Sequence, residues 1–330
     1  MVNIAIAGGS GDVGQEVLSA LVARGKHDIL LLSRKDVPAT ELPSSVKWVK
    51  TNYSVEELTT IFKGEGVETV LSFVAGDPSS GAHGDTQKNL VDACIRAGVK
   101  RFAPSELAAS KFEHMPWYTF KQAARDYLSE VNKDKKVLEY TLFHPGLFTN
   151  YMTFPFSSSK HVQLFETPID FYNRRVLVID SAEDVPITLT TAQDTAKVIA
   201  LAVEYEGEWP LISGIKGSEA TIRQLIALGE KIRGGPFAVE KLKKSDLLAG
   251  TVNASWMPKI THQSMSPEAA EALAPVLLSG ILLGFENGNF STTDEWNKLL
   301  PEYEFTQPEE FLSKAWSAID AGAKSVFDDY

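Results

Sequence analysis

The sequence predicts an α/β fold, a doubly wound parallel sheet followed by a smaller C-terminal region. Three observations carry that expectation. A glycine-rich turn, Gly8-Gly9-Ser10-Gly11-Asp12-Val13-Gly14, joins an apolar stretch to a run with helical spacing at the start of the chain. Strand-like and helix-like segments then alternate without a break through Phe143, the rhythm of a parallel sheet with crossover helices. Near residue 150 the alternation weakens, as a change of pattern and not as a linker.

Met1 to Ala7 reads as a short buried strand, with Ile4 and Ile6 on one face and small Ala5 and Ala7 on the other. Val13, Val17, Leu18, Leu21 and Val22 follow at helical spacing, and Gly25 falls where a helix C-cap belongs. The glycines therefore lie on a strand-to-helix turn opening a βαβ unit, the context in which this pattern cradles a pyrophosphate. One glycine permits the tight turn, one lets backbone approach the phosphates, and one lets the helix pack closely. Two registers fit, Gly9-Gly11-Gly14 and Gly8-Gly11-Gly14. The helix N-terminus offers unpaired N–H groups and partial positive charge to the phosphates. A turn that merely needs glycine is the plainer alternative, and this placement argues against it.

Asp28 to Ser33 reads as a second strand, followed by Arg34 and Lys35 where the adenosine ribose is read. An acidic residue there favours NAD, and a basic one the 2′-phosphate of NADP. Ser33, Arg34 and Lys35 thus point to NADP(H), against the alternative of a solvated basic loop. Val46 to Val49 reads as a third strand ending before Asn52, then Val55 to Phe62 as a helix. Val67 to Val74 is an almost wholly apolar fourth strand, as a central parallel strand is. Ala75 and Gly76 follow it, small enough for a cofactor to lie close. Asp85 to Ala97 is the next helix, and Val99 to Ala103 a fifth strand leading into Pro104-Ser105-Glu106.

Pro116 to Val131 reads as a further helix with Phe120, Ala123, Ala124, Tyr127, Leu128 and Val131 as its buried stripe. Lys121 lies off that stripe, with Trp117 and Tyr118 one turn before it. Leu138 to Phe143 is a sixth strand ended by His144-Pro145-Gly146. Phe148, Tyr151, Met152 and Phe154 follow in a loop without clean periodicity. Aromatic side chains in such a loop either line an apolar substrate pocket or fold onto the core. Beyond this, Val176 to Ile179 and Trp209 to Ile212 read as strands. Ala192 to Val203, Thr221 to Ile232, Pro267 to Leu282 and Pro308 to Ile319 read as helices. Residues 1–150 are expected to bind the dinucleotide and 151–330 the substrate, with 190–215 packing back on the main sheet.

The 330 residues suffice for a sizeable core. A net charge of -11, with no cluster of Lys or Arg, argues against a nucleic-acid surface. The single cysteine, Cys94, permits no intrachain disulfide and falls on an apolar helix face. No apolar run reaches membrane length, the nearest being Val276 to Phe285. With the first strand starting almost at Met1, no leader is expected and a cytoplasmic location is the default. His27, His83, His114, His144, His161 and His262 show no metal-ligand spacing. His144 alone stands at a strand end, facing the cleft or serving structure.

The glycine turn, Arg34, the segment Val99-Lys100-Arg101-Phe102-Ala103-Pro104-Ser105-Glu106 and Lys121 together resemble the NmrA-like and isoflavone reductase-like atypical short-chain dehydrogenases, the fungal branch most closely. Asp194-Thr195-Ala196-Lys197-Val198 and Thr306-Gln307-Pro308-Glu309-Glu310-Phe311-Leu312 are similar to that group as well. The resemblance covers most of the chain and identifies the superfamily better than the substrate. It implies a Rossmann domain with a smaller C-terminal substrate domain. It also implies either NADPH-dependent reduction of aromatic natural products or dinucleotide binding by redox-sensing regulators without turnover.

Typical short-chain dehydrogenases place Tyr four residues before the active-site Lys, and here that residue is Trp117. Tyr118, three residues before Lys121, is still a neighbour on a helix surface. The departure fits the isoflavone reductase-like branch, whose resemblance makes Lys121 the catalytic residue. The plainer alternative is a surface lysine on an amphipathic helix. Ser105 either orients substrate or caps the next turn. The candidate cofactor contacts are Gly8, Ser10, Gly11, Asp12, Val13, Gly14, Ser33, Arg34, Lys35, Asn52, Ala75, Gly76, Lys121 and Pro145. Three functions are compatible with these residues. The leading one is an NADPH-dependent reductase of a small aromatic or alkaloid-like metabolite. The others are a dinucleotide sensor, and a non-redox isomerase or cyclase on the same fold.

Overall fold

The computed structural model describes residues 2–39, 41–74, 83–259 and 266–327. The first half contains β1 (Asn3–Ala7), α1 (Asp12–Arg24), β2 (Asp28–Ser33), β3 (Val46–Lys50), α2 (Val55–Gly64), β4 (Thr69–Ser72), α3 (His83–Ala97), β5 (Arg101–Ala103), α4 (Thr119–Val131) and β6 (Glu139–Tyr140). These strands form one parallel sheet in the order β3-β2-β1-β4-β5-β6. The chain starts at the centre, winds to one edge, then returns to build the other, so β1 and β4 flank the crevice where the order reverses. Ligands of such sheets sit beyond the strand C-termini at that point.

Local sequence accounts for most of these elements. The two faces of β1 separate as its alternation requires: Ile4 and Ile6 join a core with Val17 and Leu21, while Ala5 and Ala7 join one with Leu58, Phe62 and Leu90. Gly25 ends α1 at φ 62. Ser54 caps α2 by accepting from the Glu57 N–H.

The strand read as Leu138 to Phe143 divides at Thr141. Its first part is β6, and its second is β7 (Leu142–His144). The Thr141 N–H donates to the Phe102 carbonyl at 3.1 Å, and the Leu142 N–H to Leu211 at 2.9 Å. Consecutive N–H groups of a strand point to opposite sides, so this stretch keeps β5 on one side and takes a later strand, Ile212–Gly214, on the other.

The chain continues through β8 (Leu147–Phe148), β9 (Ile169–Asp170), β10 (Arg175–Ile179), β11 (Pro186–Thr190), α5 (Ala192–Glu204), β12 (Ile212–Gly214), β13 (Ser218–Thr221), α6 (Ile222–Arg233), β14 (Ala238–Leu242), α7 (Lys244–Leu248), α8 (Pro267–Glu286), α9 (Glu295–Leu299) and α10 (Pro308–Asp320). The strand expected over Trp209–Ile212 begins only at Ile212. Trp209 is instead a buried side chain whose indole donates to the Ala202 carbonyl at 2.8 Å. β12 pairs with β7, and α5 packs its Ala196, Ile199 and Val203 into the core shared with Ile4 and Ile6. Strands β8 and β9 have two residues each, and β11, β13 and β14 mix Thr, Ser, Glu or Lys with their apolar residues, so the sequence does not announce them.

The second half has its own core, with Val176, Val178, Ile187, Leu225, Leu278, Leu312 and Trp316. Helix α8 corrects the sequence expectation about membrane-length runs. Its segment Glu268–Glu286 has 19 residues and holds an 18-residue window of mean hydropathy 1.5, enough by length and composition to cross a membrane. Counting from Val276 missed the alanine-rich first turns. Leu278, Leu282, Leu283 and Phe285 are buried in the second core, so α8 serves as a core helix. Gly280 and Gly284, one turn apart, face the loop before α4. A Cβ on Gly280 would stand 2.5 Å from the Trp117 ring, and one on Gly284 2.5 Å from Met115 Cε.

Candidate active site

The glycine turn is built as tightly as its composition allows. Gly8 has φ +73, and a Cβ there would meet the Phe73 and Val74 backbone at 2.8–2.9 Å. A Cβ on Gly14 would meet the Gly8 carbonyl oxygen at 2.6 Å and Gly9 Cα at 2.8 Å. Gly9 abuts the Ile6 side chain, so both registers describe real constraints. Gly11 differs: its Cβ would meet only the Gly8 carbonyl, at 3.4 Å, and the residue is exposed. It is also the N-cap of α1, and no side chain caps the helix there. The first turn, from Asp12 to Gly14, thus presents donors and positive dipole to the crevice. The Ser10 carbonyl accepts from Gln15 Nε2 at 3.2 Å.

At the end of β2, Ser33 is buried and its hydroxyl accepts from the Lys35 N–H at 3.0 Å. Lys35 is exposed, its carbonyl taking the Trp48 indole N–H. Arg34 is exposed but held: its Nη2 donates to Thr86 Oγ1 at 3.0 Å. Asn52 uses its carboxamide oxygen to accept from Ser54 N–H at 2.7 Å, shaping the entry to α2. Ala75 and Gly76 lie outside the described residues. Pro145 is buried and presents little surface, since Gly146 (φ +74) carries the chain directly against Thr188.

Lys121 requires the largest correction. It does not lie off the buried face of α4: it is 7 % exposed, while Ala123, expected inside, is exposed. Its ammonium donates to the carbonyls of Ser105 and Glu106, both at 2.6 Å. Those acceptors, supplied where the chain leaves β5, are what permit burial of the charge. Burial lowers the Lys121 pKa to about 8; the Glu106 charge opposes the shift and Arg125 adds to it. Tyr118 closes a short 3-10 turn, Pro116–Tyr118, before α4. Its ring centroid is 5.2 Å from Lys121 Nζ, and burial pushes its phenol above the ordinary value. Ser105, half-buried, contributes its carbonyl.

Beneath the lysine, Glu106 and His144, both named from the sequence, meet through Arg125, which the sequence reading missed. The Glu106 carboxylate is buried and takes two bonds from Arg125, 3.0 Å from Nε and 2.6 Å from Nη2. His144 is 2 % exposed and turns away from the cleft, its Nε2 3.0 Å from Arg125 Nη2 and 3.4 Å from Glu106 Oε2. Burial alone would raise the Glu106 pKa; hydrogen bonds from His144 and Arg125 reverse this and hold it below the usual range. Arg125 stands one helical turn after Lys121, the one sequence signal for this pairing. Removing one partner strands a buried charge, so Arg125→Met is expected to cost ~3–5 kcal/mol. The double variant Arg125→Met/Glu106→Leu is expected to recover much of that loss in urea unfolding. Equal stability of wild type and Arg125→Met refutes the assignment.

The aromatic loop divides. Phe148 is buried with Val162, Leu164 and Ala192, and Tyr151, Phe154 and Val13 of the glycine turn pack against that cluster. The first turn of α1 and the aromatic residues are thereby neighbours. Burial, with Tyr118 and Asp12 nearby, raises the Tyr151 phenol. Met152 is different: it is 1 % exposed in the second core, and its carbonyl accepts from the Trp316 indole at 3.2 Å. It is a core residue and not a pocket wall, because the 3-10 turn Thr149–Thr153 rotates it inward. Among the described residues no group of three or more His, Cys, Asp or Glu converges to hold a metal.

Comparison with known proteins gives concordant matches. The profile of the NmrA-like family matches residues 2–312. Oxidoreductase BOA1 of Botryotinia fuckeliana is 30% identical over 254 residues, 74% of this chain and 80% of that protein. The structure of AtPrR2 with NADP+ and (+)-pinoresinol aligns with a TM-score of 0.67 at 18% identity, covering 94% of this chain and 98% of that one. Escherichia coli NADPH-dependent quinone oxidoreductase QOR2, complexed with NADPH, aligns with a TM-score of 0.64 at 19% identity, covering 96% and 99%. At such identities the two structures establish a common fold.

Proposed function

The chain belongs to the NmrA-like family, and from that premise we propose that it is an NADPH-dependent reductase of a small aromatic metabolite, with Lys121 assisting the chemistry. The observation that carries the reading is the Lys121 ammonium, fixed by two carbonyls at the C-terminal end of β5, on the side of the sheet where the glycine turn opens. The residues fit a dinucleotide. Gly11 leaves room above an uncapped helix N-terminus, and an arginine stands past the end of β2. The oxidoreductase relative and the two dinucleotide-bound structures support the same reading.

When bound, NADPH supplies the hydride. The chain does the rest. The first turn of α1 directs backbone donors at the diphosphate. Lys121 holds a proton at Nζ in a site of low dielectric, where it stabilises negative charge growing on a substrate oxygen and can then donate. Tyr118 remains protonated because its pKa is raised, so it orients and does not act as a base. Tyr151 and Phe154, which are only partly buried, provide apolar and aromatic surface over buried Phe148, which favours an aromatic ligand.

The test is turnover of NADPH with a panel of aromatic carbonyl, imine and benzylic ether compounds, with product masses recorded. A gain of two mass units is the expected result. An unchanged mass indicates isomerisation or cyclisation. Binding of NADPH with no product from any compound favours the sensing reading, which the engagement of Lys121 with backbone carbonyls also suits.

A further inference from the structure

Arg34 is exposed, yet two elements that are not its neighbours in sequence hold it. Its Nη2 donates to Thr86 Oγ1 at 3.0 Å, and its Cζ lies 5.4 Å from the centroid of the Tyr53 ring. Thr86 belongs to the first turn of α3 and is 3 % exposed; Tyr53 follows β3 and is 5 % exposed. Tyr53 adopts φ 63, a left-handed backbone that a bulky residue occupies only under constraint. The constraints are visible. Its N–H donates to Thr51 Oγ1 at 3.0 Å, its hydroxyl to the Leu32 carbonyl at 2.8 Å, and its carbonyl accepts from Asn89 Nδ2 at 3.0 Å. Leu32 lies two residues before Arg34, so the ring is tied to the strand end that carries the arginine.

A solvated surface arginine needs none of this. An exposed guanidinium otherwise samples many rotamers and loses that freedom when it binds an anion. Here the ordering precedes the ligand. One of five N–H donors is spent on Thr86, and the others remain for a phosphate oxygen pair. We propose that Thr86 and Tyr53 are positioning residues that preset Arg34 for the 2′-phosphate of the cofactor and so set the preference for NADPH over NADH. The proposal rests on the reading of the chain as a dinucleotide-dependent enzyme. NADH carries a hydroxyl at the same place and gains nothing from the preset guanidinium.

The experiment is titration of NADPH and NADH, separately, followed by quenching of intrinsic protein fluorescence. The proteins are wild type, Arg34→Ala, Thr86→Val, Thr86→Ala and Thr86→Ser. Arg34→Ala is expected to abolish the preference. Thr86→Val and Thr86→Ala are expected to weaken NADPH about 3–10-fold with NADH unchanged, the size of one ordinary net hydrogen bond. Thr86→Ser, which keeps the hydroxyl, restores NADPH affinity. Unchanged NADH affinity also shows that each variant is folded, a readout that a purely structural Thr86 would not satisfy. If both Thr86 variants leave NADPH affinity intact, or weaken both cofactors equally, while Arg34→Ala loses the preference, positioning is wrong and the cofactor reading stands. If Arg34→Ala keeps the preference, Arg34 does not read the 2′-phosphate and the proposal falls with it. If wild type binds neither dinucleotide, the underlying reading itself fails.

Discussion

Replacing Lys121 by methionine is expected to lower turnover at least ~100-fold, the usual scale for a lost general acid or charge stabiliser, while NADPH affinity changes little. Methionine keeps the unbranched stem and removes the ammonium. It also leaves the Ser105 and Glu106 carbonyls without their donor, at a stability cost of about 1–3 kcal/mol. Thermal unfolding of the variant separates that cost from the kinetic one. The pH dependence supplies an independent check, and its two signs differ. With a pKa of about 8 the ammonium is lost as pH rises through that value, so turnover limited by the Lys121 proton falls there. Stability responds in the opposite sense. Between about 8 and the ordinary lysine value of 10.5 the unfolded chain holds this proton and the folded chain does not. Unfolding then takes up a proton, and the contribution of this group to stability grows with rising pH across that window. A Lys121→Met protein with wild-type turnover excludes lysine chemistry and moves the sensing and non-redox readings ahead.

Gly11→Val is expected to abolish measurable NADPH binding, a loss of ~100-fold or more, with the fold retained. Two displaced backbone-to-phosphate contacts of about 1.5 kcal/mol each account for that scale. The backbone at Gly11, φ -92 and ψ 172, suits valine, and its Cβ meets nothing closer than 3.4 Å. The remaining branches project over the α1 N-terminus, where the diphosphate belongs. Gly14→Val provides the contrast. There the new carbon meets backbone at 2.6 and 2.8 Å, so that variant is expected to lose the turn itself. Calorimetric titration beside thermal unfolding distinguishes the two. Normal NADPH binding by Gly11→Val would mean that the turn serves structure alone.

Much of the first half was legible because its information is local. Gly25, Ser54 and the alternation of Ile4-Ala5-Ile6-Ala7 each declare a cap or a face within a few residues. β8, β9 and the strand added beside β7 were not, because two-residue strands carry no period and the partners arrive from distant sequence. The candidate site shows the same division. The glycine turn is encoded in adjacent residues. Lys121 was placed on the wrong face because a charge on a helix is ordinarily solvated, and nothing local announces that two carbonyls await it. Met152 was misread for the reverse reason: an apolar residue among aromatics gives no sign of which way a 3-10 turn will rotate it. Thr86 and Tyr53 carry no motif at all, and only the approach of α3 and the β3 end to Arg34 reveals them.

The two glycines of α8 bear on the entrance to α4. Trp117 and Met115 seat where Gly280 and Gly284 lack side chains, so the segment before Tyr118 and Lys121 is keyed into a helix of the other half of the molecule. A methyl group at either position would press on that segment, so a change in the second core is transmitted to the turn that carries Tyr118 and to the first residues of α4.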